Sequence, residues 1–139
     1  MSLTVWTNHG FRPEAFALFQ EGLRSAGHRL VVSPNATASV LAAGQEDPTL
    51  ETADVVFGQP DVAHAMRCGK LRFIELSSAG YTRYDRTDFR NAMRARGIPV
   101  TNASQVFADP CANHVLAQML ALVRNLPPQL RNQDGPREW

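Results

Sequence analysis

The feature that most constrains this chain is an alternation along almost its whole length: short apolar runs, each followed by a stretch with apolar residues at helical spacing. A short apolar run reads as a buried strand, and apolar residues three and four positions apart read as a helix with one covered face. Strands separated by helices join through right-handed crossovers into a parallel sheet with helices on both faces.

The first strand is read at Leu3 to Trp6. A helix follows over Pro13 to Ala26, with Phe16, Phe19 and Leu23 on one face, Pro13 in its first turn and Gly27 as its stop. Leu30 to Val32 is a second strand. Residues 33 to 53 are punctuated by Asn35, Gly44, Asp47 and Pro48, and a short helix is read around Ala38 to Ala43. Asp54 to Phe57 is a third strand, closed by Gly58 and Pro60. Asp61 caps a short helix to Arg67, which Gly69 stops. Leu71 to Leu76 and Ile98 to Thr101 complete the strands. Between them a helix runs from Asp85 to Arg96, with Asp85 and Asp88 as capping acids and Gly97 after it. Asp109-Pro110 opens a long helix to Leu126, as cap and first helical residue, and Pro127 and Pro128 end it. The expected fold is α/β, a flavodoxin-like doubly wound parallel sheet of about five strands, followed by a long apolar helix and a short arm. The divisions are residues 1–108, 109–126 and 127–139.

Composition narrows the function. A chain of 139 residues holds one domain with a real core. Its net charge of +1, with scattered basic residues, gives no electrostatic reason for a nucleic-acid or membrane partner. No run of about 18 apolar residues predicts a membrane span. The N-terminus MSLTVWTNHG has no signal-peptide pattern, so the expected location is cytoplasmic, with Cys68 and Cys111 as free thiols. His9, His28, His64 and His114 show no metal-ligand spacing, and no metal is expected.

Ligands on such a sheet lie beyond the C-terminal strand ends. Three loops qualify: Gly58-Gln59-Pro60, Ser77 to Thr82 and Asn102 to Asp109. The segment LSSAGYTRYD, residues 76 to 85, is the most informative. Small residues after a buried strand let successive backbone N–H groups form an anion-binding concavity. The same residues also suit a tight turn that needs Gly80 for its dihedrals. The long helix carries Ala112, Val115, Leu116, Met119, Leu120, Leu122, Val123 and Leu126 around most of its circumference, with a narrow polar strip of His114, Gln118 and Asn125. One small sheet does not cover such a helix, so a second domain or a second copy, in a dimer or larger homo-oligomer, is expected against it.

The run KLRFIELSSAGYTRYDRTDFRNAMRARGIPVTNASQVFADPCANHVLAQMLALVRNLP, residues 70 to 127, resembles the N-terminal domain of the D-isomer-specific 2-hydroxyacid dehydrogenases. The shared order is a strand, a small-residue loop, Asp85, a helix ending in Arg96-Gly97, Ile98-Pro99-Val100, Thr101-Asn102-Ala103, and a long helix ending in Arg124-Asn125-Leu126-Pro127. The strand Ala53-Asp54-Val55-Val56 also fits, and residues 1 to 50 match in pattern only.

The resemblance implies a protein that oxidises D-2-hydroxy acids, or reduces 2-keto acids such as glyoxylate, pyruvate or hydroxypyruvate, with NAD or NADP. It implies that backbone amides around Ser78, Ala79 and Gly80 face the substrate carboxylate, and that Gln59 and Phe107 lie near the cleft. Two positions depart from the family's Gly-x-Gly-x-Asp loop: Ser78 replaces the first Gly and Thr82 the Asp. The family's dinucleotide-binding domain, with its Gly-rich fingerprint and catalytic Arg, Glu and His, follows the long helix, and a returning segment completes the first domain. No Gly-x-Gly-x-x-Gly occurs in these 139 residues. No catalytic or cofactor-binding residue is therefore assigned, and the chain alone is expected to be an inactive part of such an enzyme. The other reading is a stand-alone flavodoxin-like module that binds a small carboxylate, or self-associates, without catalysis.

Overall fold

A computed structural model describes residues 1–39, 42 and 44–135. They divide into two units, Met1–Ser104 and Gln105–Trp139.

The first unit is built on a five-stranded, all-parallel sheet in the order β2-β1-β3-β4-β5: β1 Thr4–His9, β2 Arg29–Thr37, β3 Val55–Gly58, β4 Phe73–Leu76 and β5 Val100–Asn102. This is the flavodoxin-like arrangement expected from the alternation. Helix α1 (Pro13–Ser25) joins β1 to β2, α2 (Val62–Arg67) joins β3 to β4, and α3 (Thr87–Ala95) joins β4 to β5. A 3-10 turn, Pro48–Thr52, precedes β3. The short helix expected around Ala38 to Ala43 falls largely outside the described residues.

Period-two alternation sends each strand's side chains to opposite faces. Trp6, Val56, Ile74 and Val100 are register partners, and the first three are no more than 1% exposed. They pack with Leu50, Val62, Ala65, Phe89 and Met93 from the 3-10 turn, α2 and α3. Thr7, Phe57, Glu75 and Thr101 are partners on the other face. There α1 lays Phe19 against Phe57, ring centroids 5.4 Å apart. No residue of α1 is fully buried, and Val55, Phe57 and Phe73 stay half-buried.

Local chemistry explains most boundaries. The Asp61 carboxylate accepts from the His64 N–H at 2.7 Å and caps α2, as the sequence predicts. Arg96 donates to the carbonyls of Ala65, Met66 and Cys68, satisfying the C-terminal end of α2 from across the fold. Helix α3 is shorter than expected and Arg86 stands at its N-cap; of the two acids, Asp88 accepts from a first-turn amide, that of Phe89, at 2.9 Å, whereas Asp85 lies before the helix. Asp85 pairs with Arg90 at 2.7 Å, and Asp88 pairs with Arg86 at 2.5 Å. Gly27 and Gly97 have φ of 75° and 64°, the left-handed conformation that follows a helix at low cost to glycine.

The prolines of the C-terminal third act differently from the sequence expectation. Helix α4 spans Ser104–Val123, so Pro110 lies inside it rather than at its start. The start is set instead by Asn102, whose Oδ1 accepts from the Ser104 N–H and hydroxyl at 3.4 and 2.9 Å. Residues 104 to 109 are therefore helical rather than loop. Pro127 and Pro128 do not end α4; they open a further helix, α5 (Leu126–Asp134), so the expected arm is helical to Asp134. Proline's missing N–H costs nothing in a first turn, where that group has no intrahelical partner. Asn125, at φ 54°, makes the break between the two helices.

In α4 no residue is buried, and Val115, Leu116, Met119, Leu120, Leu122 and Val123 are more than half exposed. By length and composition alone, with mean hydropathy 1.3 over its most apolar window, α4 is long and apolar enough to cross a membrane.

Candidate functional site

The sheet reverses its winding between β1 and β3, and the C-terminal ends of these strands frame the ligand crevice of a doubly wound fold. The first-strand loop there is closed by its own chain. The Gly10 N–H donates to the Thr37 carbonyl at 2.7 Å, and a Cβ on Gly10 would come within 2.6 Å of the Ala38 nitrogen. The His9 N–H donates to the Thr7 hydroxyl at 3.1 Å. His9 packs edge-on against Phe11 at 4.7 Å, and burial pushes its imidazole below the ordinary value. The amides of His9 and Gly10 are thus committed to the loop's own chain.

One residue along, Asn8 ties β1 to the next loop. Its Oδ1 accepts from the Gln59 N–H and its Nδ2 donates to the Gln59 carbonyl, both at 2.7 Å. Gly58 makes room for this clamp: its φ is 155°, and a Cβ there would lie 2.3 Å from Asn8 Oδ1. Asn8 and Gln59 are each 6% exposed.

From Gln59 the network continues to β4. Gln59 Nε2 donates to the Ser78 hydroxyl at 2.8 Å, and that hydroxyl donates to the Gly80 carbonyl at 2.7 Å. From the β5 side, Asn102 Nδ2 donates to the Ala79 carbonyl at 2.9 Å, and the Ala103 N–H reaches the carbonyls of Leu76 and Ser78 at 3.1 and 3.2 Å. Tyr84 holds the loop after β3: its hydroxyl donates to the Pro60 carbonyl at 2.8 Å, and burial pushes its phenol far up.

These bonds hold the carbonyls of the Ser78–Gly80 turn and leave its donors uncommitted. Among the described residues, the backbone N–H groups of Ser78, Ala79 and Gly80 have no protein acceptor. Gly80 does not have a positive φ, so the turn does not need glycine for its dihedrals. A Cβ there would meet nothing within 4 Å, and the missing side chain leaves open space beside the amides. Three successive donors at a strand end can hold a carboxylate.

Of the residues expected at the site, Gln59, Ser78, Ala79 and Gly80 are brought together in one network. Phe107 lies on α4 in the second unit, 40% exposed. Asn8 and Asn102 were not singled out by sequence reasoning. The available signal for Asn8 was a poor strand former two positions after the apolar run Val5-Trp6. Among the described residues no group of three or more His, Cys, Asp or Glu side chains could hold a metal ion.

No protein-family model matches the chain, and a search of curated proteins finds no match.

Proposed function

We propose that this chain is the substrate-side domain of an NAD(P)-dependent 2-hydroxyacid dehydrogenase, and that its role is to hold the carboxylate of a small 2-hydroxy or 2-keto acid. The observation that carries the reading is the row of uncommitted N–H groups at Ser78, Ala79 and Gly80, beside a glycine with open space. Hydrogen bonds from backbone donors to an anion are stronger than neutral ones, and here the donors are held in place before the ligand arrives.

The half-covered sheet face and the exposed α4 fit the same reading. In the family a dinucleotide domain and a returning segment pack against the first domain, and its members associate through apolar surface. No Gly-rich phosphate loop occurs in the sequence, and two amides of the first-strand loop, those of His9 and Gly10, are committed to its own chain, so no dinucleotide site is assigned to these residues. No hydride-transfer step is assigned to these residues. They bind and orient the acid.

The test is a titration of the 139-residue chain with pyruvate and D-lactate, followed by amide NMR. Saturable shifts centred on Ser78 to Gly80 are expected, with no oxidation of NADH or NADPH by the same protein. Unchanged amide signals at millimolar acid would overturn the carboxylate reading, and turnover would overturn the division of labour.

A further inference from the structure

We propose that Gln59 makes this site prefer an acid bearing a hydroxyl over one bearing a carbonyl, and that Asn8 is the positioning residue that holds Gln59 to this task. The inference rests on the carboxylate reading of Ser78 to Gly80 and adds a second contact to it.

A serine hydroxyl has a single hydrogen to donate. Ser78 gives it to the Gly80 carbonyl at 2.7 Å, so its oxygen acts as the acceptor in the 2.8 Å contact with Gln59. The Gln59 side chain must therefore turn its NH2 toward Ser78. The reverse orientation would face a carbonyl oxygen against lone pairs. That choice leaves Oε1 as the second polar atom of the amide, and no donor among the described residues reaches it.

Among the described residues, the fully shielded side-chain N or O atom without a partner is Ser77 Oγ. Gln59 Oε1 therefore keeps contact with solvent although the residue is 6% exposed. It is a fixed acceptor, one amide width from the nitrogen that touches Ser78, beside a row of fixed donors. The donors suit a carboxylate. The acceptor suits an O–H group and opposes a keto oxygen, because two acceptors cannot share a hydrogen that neither carries.

Asn8 removes the alternatives. With both backbone groups of Gln59 held at 2.7 Å, and with Gly58 unable to carry a side chain beside Asn8 Oδ1, the main chain under Gln59 has little freedom to let the amide turn away. A neutral hydrogen bond made to a preorganised acceptor changes binding by about 2- to 10-fold.

The experiment compares D-lactate, propionate and pyruvate on the 139-residue chain, with the amide signals of Ser78 to Gly80 as readout. D-Lactate is expected to bind about 2- to 10-fold more tightly than propionate, and pyruvate no more tightly than propionate. Gln59→Leu should bring all three acids to similar affinity while propionate binding persists. Ser78→Ala, which frees the amide to turn, should lower the lactate preference with Gln59 still present, and Asn8→Ala should do the same. A loss of fold would lower all affinities together, so the ratio between acids is the informative quantity. Equal affinities in the unsubstituted protein would overturn the proposal and leave the carboxylate reading standing. No shift at Ser78 to Gly80 with any acid would overturn both.

Discussion

The two faces of the sheet are made from the same strands and end up unlike. On one face Trp6, Val56 and Ile74 are sealed beneath the 3-10 turn, α2 and α3. On the other, Val55, Phe57 and Phe73 are half-buried, with α1 the helix laid against the strands of this unit. The cause is topological. Right-handed crossovers that move outward from β1 in opposite directions place their helices on opposite sides. One step leads to β2, whereas β3, β4 and β5 follow in the other direction. Apolar content alone does not decide burial here; what decides it is how many connections pass over each side.

Two neighbours on β4, one on each face, should differ most. Ile74→Ala should cost about 2–5 kcal/mol, because the residue is fully buried and leaves a cavity. Phe73→Ala removes a larger side chain yet should cost less, about 1–2 kcal/mol, since part of it already meets water. Urea denaturation of the two variants measures the difference. Equal losses would mean that the half-open face is covered in solution.

A smaller effect sharpens the closed side. Asp47, 1% exposed, is the polar anchor there: its carboxylate accepts from the Thr49 N–H and hydroxyl at 2.9 and 2.8 Å and from Trp6 Nε1 at 3.3 Å. Burial pushes its acidity toward the neutral form, but hydrogen bonds from Ser33, Thr49 and Trp6 outweigh it and hold the group below the ordinary carboxylate value. A depressed folded-state value stabilises the fold fully above the unfolded carboxyl's ordinary range near 3.9, and this contribution is lost as pH falls through the folded value. Asp47→Asn should cost about 1–3 kcal/mol at neutral pH and flatten the loss of stability below pH 4. An unchanged acid limb in the variant's unfolding profile would remove Asp47 from this role.

The smallest effect belongs to the outer surface of α1. Leu18 is 78% exposed, and Leu18→Lys should change stability by no more than about 0.5 kcal/mol. A larger loss in thermal unfolding would show that α1 itself is covered.

The sheet was legible in the sequence because strand and helix periods differ, and because Asp61, Gly27 and Gly97 act locally. The ends of α4 and the start of α5 were not. Proline says where an N–H is missing, and that is compatible with a helix ending before it or beginning around it. The deciding contacts were the Asn102–Ser104 bonds and the left-handed Asn125. At the site, Gln59 and Ser78 to Gly80 could be named from family resemblance. The role expected for Gly80 belongs instead to Gly58, whose bare Cα is demanded by a side chain 50 positions earlier. Asn8 could not be found from spacing at all, because its partner lies 51 residues away and the two meet only once β1 and β3 pair.

The borders of the sheet carry a consequence of their own. Strand β5 is three residues long and follows Pro99, and β2 contains Pro34 where its register with β1 slips. Neither margin offers an unbroken row of hydrogen-bond donors to a passing extended chain. The protein can thus leave one broad apolar side half open without also inviting fibrous, strand-upon-strand growth from its rims.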